Sequence, residues 1–162
     1  MPVQARILDA GTGSGRDLRE FSKLGFNVLG LDSSISLAKL AEEYSGEKVI
    51  VGSFKDIDYI ECFEGIWACA SLLHFPKSEL TSILKKFHDA LVCQGVLFMS
   101  VREGTGNKKS LDGRYFQYYS KEELSEIVSV SGFVIESIWV TEDVIAKRHD
   151  RSWINLVGTK KI

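Results

Sequence analysis

The segment Ile7-Leu8-Asp9-Ala10-Gly11-Thr12-Gly13-Ser14-Gly15-Arg16-Asp17 constrains this chain more than any other. A short apolar run ends in three glycines at alternate positions, and a helical pattern follows at once. Glycine is needed where a backbone must turn tightly and approach a ligand closely. A helix that starts there offers unpaired N–H groups to an anion or another acceptor. Seventeen residues beyond Gly15, at the end of the next apolar run, stands Asp32. A carboxylate at that point can accept both hydroxyls of a ribose lying over the switch point of a parallel sheet.

The rest of the chain alternates in the same way. Strands are expected at 7–10, 27–32, 48–51, 65–70 and 96–101, with helices between them at 16–24, from Ser33 or Ser34 to about Tyr44, and from Pro76 onward. In that last helix Leu80, Ile83, Leu84, Phe87 and Leu91 share one face. Ser120-Lys121-Glu122-Glu123 matches a capping box for a further helix, closed by Gly132. Two final strands, 133–140 and 153–158, have too few residues between them for a crossover helix, so they form an antiparallel hairpin with Trp139 and Trp153 in its core. The expectation is an α/β, three-layer, doubly wound sheet in a single domain spanning 1–162. The stretch 102–119 reads as one long irregular loop. Its glycine- and lysine-rich half (104–110) is expected to be mobile, and its aromatic half to anchor it.

Composition narrows the class of partner. The net charge of −2 argues against a nucleic-acid partner, and no apolar run reaches the length of a membrane span. No signal peptide opens the chain. Cys62, Cys69 and Cys93 lack metal-ligand or CxxC spacing and read as reduced thiols of a cytoplasmic protein with no metal site.

The glycine spacing then chooses between ligands. A nicotinamide fingerprint reads GxGxxG, whereas Gly11, Gly13 and Gly15 read GxGxG, and Arg16 fills the slot of the third dinucleotide glycine. Together with Asp9, Asp32 and the closing hairpin, the chain resembles the class I, Rossmann-like S-adenosylmethionine-dependent methyltransferases, specifically the small bacterial type opening with DxGxGxGR. The resemblance implies a seven-stranded sheet in the order 3-2-1-4-5-7-6 with strand seven antiparallel. It implies S-adenosyl-L-methionine as cofactor, its methionine part held by Asp9 and the Gly11–Gly15 loop, and its ribose by Asp32 with Ser33 beside it. Arg16 matches a subfamily arginine that serves the cofactor carboxylate. Where the family often has an adenine-binding aspartate this chain has Ser53, so adenine falls to the serine hydroxyl, to backbone groups and to stacking on Phe54. Ala70 and Ser71 are placed beside the sulfonium.

For the acceptor, a small molecule is expected. His74 stands at the mouth after strand four as a candidate general base. Arg102, Tyr115 and Tyr118 are candidates for substrate contact, with packing of the loop as the competing role for the aromatics. The run Arg148-His149-Asp150-Arg151 reads as a solvated turn. The chain starts six residues before strand one, without the N-terminal helices usual in the family. A face left uncovered there would favour a homodimer. Two other readings compete: a catalytically silent cofactor-binding or interaction module, and an NAD(P)-binding oxidoreductase, which Arg16 opposes.

Overall fold

A computed structural model describes residues 2, 4–143 and 152–161. The run Arg148–Arg151 lies outside the described residues. Five parallel strands form the core of the sheet: β1 (Arg6–Ala10), β2 (Asn27–Asp32), β3 (Val49–Val51), β4 (Phe63–Cys69) and β5 (Leu91–Glu103). They stand in the order β3-β2-β1-β4-β5. The helices α1 (Arg16–Lys23), α2 (Ile35–Ser45) and α3 (Lys77–Ala90) connect them. Beyond Tyr119 come α4 (Lys121–Val130) and the strands β8 (Phe133–Glu142) and β9 (Ser152–Lys160). β9 runs antiparallel beside β5, and β8 antiparallel beside β9 at the sheet edge. These seven strands thus keep the expected 3-2-1-4-5-7-6 order.

The chemistry of each element accounts for its place. β4 and β5 are mostly buried, as strands covered on both faces must be. Leu80, Ile83, Leu84 and Phe87 of α3 are all buried against the sheet, which is where the helical period puts them. Ser120 and Glu123 close the capping box at the start of α4, with each side chain bonded to the other residue's backbone N–H. Trp139 departs from expectation. It lies on the edge strand β8 and is 40% exposed, its ring tilted against Phe98 at 6.4 Å, whereas Trp153 on the inner strand β9 is half-buried. No described helix is long and apolar enough to cross a membrane.

The stretch 102–119 is not irregular. After β5 it forms a hairpin, β6 (Asn107–Lys109) and β7 (Tyr115–Tyr119). Asp112-Gly113 makes the turn: Gly113 has φ +83°, and the Ser110 N–H donates to the Arg114 carbonyl at 2.8 Å. β7 also pairs in parallel with the last residues of β5, Arg102 with Tyr118 and Glu103 with Tyr119. β9 already occupies the opposite edge at Arg102, so the hairpin stands above the end of β4, over the carboxyl edge of the sheet.

Tyr119 anchors this hairpin. Its side chain is fully buried, and its hydroxyl has no hydrogen-bond partner among the described residues. Burial of the ring stabilises, while the unsatisfied hydroxyl costs about 1–3 kcal/mol. Tyr119→Phe is therefore expected to raise stability by up to that amount in denaturant unfolding.

Candidate functional site

β1 ends in a loop whose shape its glycines dictate. Gly11 sits at φ +88°, and a Cβ there would lie 2.3 Å from the Ser71 Cβ. Gly15, at φ +84°, would push a Cβ to 2.9 Å from the Ala41 backbone of α2. A side chain at either position is excluded by conformation and by space. The loop is then pinned from β2. The Leu31 carbonyl accepts from the N–H groups of Gly11 and Thr12 at 2.8 and 3.2 Å. The Thr12 hydroxyl donates to the Asp9 carbonyl at 2.9 Å and accepts from the Leu31 N–H at 3.0 Å.

Asp32 completes the frame. Its Oδ2 accepts from the Gly13 N–H and its Oδ1 from the Ser34 N–H, both at 2.9 Å. The Ser34 hydroxyl caps α2 at the Leu37 N–H, so Ser34 and not Ser33 is the cap, and Ser33 stays exposed.

The loop walls a cavity of about 260 Å³ with Asp9, Gly13, Arg16, Asp17, Cys69 and Ala70 among its lining residues. Asp9 is 3% exposed, and its Oδ2 has no hydrogen-bond partner among the described residues. Burial, with Asp17 and Asp32 nearby, pushes its carboxyl up to about 7. Asp17 accepts from Arg16 Nε at 2.8 Å and from the Trp67 indole N–H at 2.9 Å, and the Trp67 ring stacks on Phe98. Burial pushes the Cys69 thiol up, so this cysteine is a poor nucleophile.

A second cavity, of about 220 Å³, lies beyond β2 and β3, lined by Leu31, Ile50, Ser53, Asp56, Asp58 and Tyr59 among others. Ser53 caps the single helical turn Phe54–Asp56 in a box closed by Asp56. Phe54 is not on this wall. It is buried under the glycine loop, packed on Phe75 and Phe87, with its Cζ 3.4 Å from a Cβ placed on Gly11. It props the loop and offers no open face for stacking, which corrects its expected role.

The third and largest cavity, about 610 Å³, opens under the β6–β7 hairpin and shares Ala70 with the loop cavity. Ala70 sits at φ +53° just past β4, and its N–H donates to Ser100 Oγ at 2.9 Å. Ser71 is buried behind it with an unpartnered hydroxyl among the described residues. His74 lines the large cavity, and its Nδ1 lies 2.9 Å from the Tyr115 carbonyl. A carbonyl only accepts, so Nδ1 carries the proton and neutral His74 presents a bare Nε2.

Strand alternation sorts the aromatic residues of β7. Phe116 and Tyr118 line the cavity. Tyr115 does not: its hydroxyl donates to Gln117 Oε1 at 2.7 Å on the opposite face. Arg102 lines the cavity but is buried, ion-paired with Asp143 at 3.3 Å and placed over the Trp153 ring at 4.2 Å. Lys108, Asp17 and Trp67 escape the sequence reading, which places Trp153 in the hairpin core and Phe116 among the loop aromatics. The Asp112-Gly113 turn signal, with its strand alternation, points to Lys108 opposite Phe116.

A doubly wound sheet in this order, with a glycine loop and an acid at its switch point, defines the class I Rossmann-like methyltransferases, which use S-adenosylmethionine. The chain belongs to the methyltransferase domain family, which matches residues 7–95. No curated protein matches it. Among solved structures it is similar to 1,6-didemethyltoxoflavin-N1-methyltransferase of Burkholderia thailandensis, solved with 1,6-didemethyltoxoflavin and S-adenosylhomocysteine. That match has 22% identity and a TM-score of 0.84, over 98% of this chain and 72% of that one. A SAM-dependent methyltransferase of Methanosarcina mazei gives 17% identity and a TM-score of 0.86, over 100% of this chain and 95% of that one. The [4+2]-cyclase SpnF gives 18% and 0.80, over 100% and 77%.

Asp9 makes the site a source of instability. A carboxyl raised from 3.8 to about 7 in the fold binds more protons there than in the unfolded chain. Stability therefore falls as pH rises from about 4 through about 7, by an amount on the order of 4 kcal/mol. Asp9→Asn should stabilise the ligand-free protein at pH 8 and do little at pH 4, as read by urea unfolding at the two pH values.

Proposed function

We propose that the protein methylates a small molecule bound under the β6–β7 hairpin, using S-adenosylmethionine bound along the carboxyl edge of β1, β2 and β4. The observation that carries this reading is the meeting of the loop cavity and the hairpin cavity at Ala70. The residues present fit the cofactor. The orphaned, buried Asp9 Oδ2 needs a donor, and an ammonium group supplies one with charge. Gly13 leaves open space where any Cβ would stand. Asp32 spends one lone pair per oxygen on backbone N–H groups and keeps the others for ribose hydroxyls. Arg16, paired with Asp17 and largely exposed, is placed to reach the cofactor carboxylate. The cavity lined by Ile50 and Tyr59 suits adenine, and Asp56 and Asp58 offer its amino group the carboxylate that Ser53 lacks.

Bound S-adenosylmethionine supplies an electrophilic methyl carbon, and transfer forms a bond from the acceptor to it as the carbon–sulfur bond breaks, leaving S-adenosylhomocysteine. The protein aligns the two molecules and excludes water between them. His74 Nε2 takes the proton of a hydroxyl acceptor, while the Tyr115 carbonyl fixes the ring and its tautomer. Tyr118 and Phe116 close the acceptor side. Small-molecule neighbours on the same fold support this acceptor class.

Titration calorimetry with S-adenosylmethionine and S-adenosylhomocysteine tests the donor half. Both should bind, Asp32→Ala should weaken them by about 1–3 kcal/mol, and NAD should give no heat. Absence of binding by either sulfur compound would defeat the reading. For the acceptor half, His74→Gln should lower turnover of a hydroxyl acceptor by roughly 100-fold or more with cofactor affinity unchanged, measured by methyl-tritium transfer.

A further inference from the structure

The cavity under the hairpin carries a chemical bias of its own. Phe116 and Tyr118 from β7 and Trp153 from β9 give it aromatic walls. Trp153 is stiffened by Arg102 over its ring, with Asp143 bound to that guanidinium. Arg114 lies over the Phe116 ring at 5.7 Å and pairs with Asp112 at 2.7 Å. Among the described residues the lining holds three cations, Arg102, Lys108 and Arg114, against the single carboxylate of Glu103, which accepts from the Ser152 hydroxyl at 2.6 Å. Asp112 and Asp143, which are not in the lining, meet the two arginines.

Lys108 is different. It stands opposite Phe116 in the β6–β7 register, hence on the same face as that ring and toward the cavity. Among the described residues no carboxylate pairs with it. Its neighbour Lys109 stands opposite Tyr115 and belongs to the other face. A lysine on an exposed strand edge can serve only to discourage pairing with other chains. That role would not distinguish Lys108 from Lys109; facing an aromatic cavity does.

We infer that the acceptor is a small aromatic acid, its ring held between Phe116, Tyr118 and Trp153 and its carboxylate on Lys108. The inference rests on the reading of this cavity as the acceptor site. A cavity of about 610 Å³ has room for one ring with two substituents beside the cofactor. A carboxylate on Lys108 leaves the far end of a ring free to reach His74 and Ala70, which line the same cavity.

The test uses three probes on the full chain: 4-hydroxybenzoate, its neutral analogue 4-hydroxybenzamide, and the non-planar 4-hydroxycyclohexanecarboxylate. Each is titrated calorimetrically with and without saturating S-adenosylhomocysteine. The benzoate should bind at least about ten-fold tighter than the amide, the fold-change expected of one charge-assisted contact, and several-fold tighter than the cyclohexane acid, which keeps the charge and loses the aromatic stacking. Lys108→Glu should abolish the preference over the amide, while Lys109→Glu keeps it and both variants bind S-adenosylhomocysteine normally. Equal binding of acid and amide, loss of the preference in both lysine variants, or no binding of any probe would overturn the inference. Binding of S-adenosylhomocysteine without the acid would refute this inference alone. Binding of the acid without S-adenosylhomocysteine would support it and refute the cofactor reading instead.

Discussion

One carboxylate holds the functional edge of this sheet together. Asp32 ends β2 and takes the Gly13 N–H on one oxygen and the Ser34 N–H on the other. It thereby fixes the glycine loop between β1 and α1 relative to the start of α2. Both N–H groups belong to turns that no ladder can satisfy, so the acid replaces missing backbone partners. The Leu31 carbonyl and the Thr12 hydroxyl complete the clasp. Every cavity at this edge inherits its position from that clasp, because the loop sets where Asp9, Ser71 and Ala70 can stand.

The alternation of strands and helices and the glycine loop were legible in the sequence because they rest on local rules, whereas the order of the sheet came from the family resemblance. Period-3.6 apolar faces mark α3 and α4, positive φ demands Gly11, Gly13 and Gly15, and a hairpin closes the sheet where no crossover helix fits. The failures were of another kind. Phe54 stands beside Ser53 in sequence, yet its ring turns inward to Phe75 and Phe87, a tertiary choice that spacing does not reveal. Tyr115 and Tyr118 were grouped by proximity, and β7 separated them by alternation. The hairpin was missed because its first strand, Asn107-Lys108-Lys109, has low strand propensity, and the pairing of β7 depends on the projecting end of β5.

Buried polar atoms without partners divide according to what surrounds them. Tyr119 is enclosed by packed residues at the root of the hairpin, so its idle hydroxyl is a plain cost of using a large ring as an anchor. Asp9 borders an open cavity, with Asp17 also in its wall. A carboxylate kept there against desolvation and like charge is maintained at the expense of the empty fold, and a cationic ligand relieves both penalties at once. The same bonding defect therefore has opposite meanings in the two places, and cavity geometry tells them apart.

The frame and the hairpin also divide the work of choosing a reaction. The fold is shared with proteins as different as 1,6-didemethyltoxoflavin-N1-methyltransferase and a [4+2]-cyclase, so the fold alone does not fix the outcome. The sheet leaves room for further structure above the end of β4. Here it is a two-stranded extension hung on the last two residues of β5 and clasped to the turn after β4 by His74 and the Tyr115 carbonyl. His74 thus fastens the hairpin through Nδ1 and lines the cavity the hairpin creates. The His74 ring also packs edge-on against Phe116 at 4.9 Å, so a displacement of β7 that opens the cavity removes both contacts that orient the imidazole.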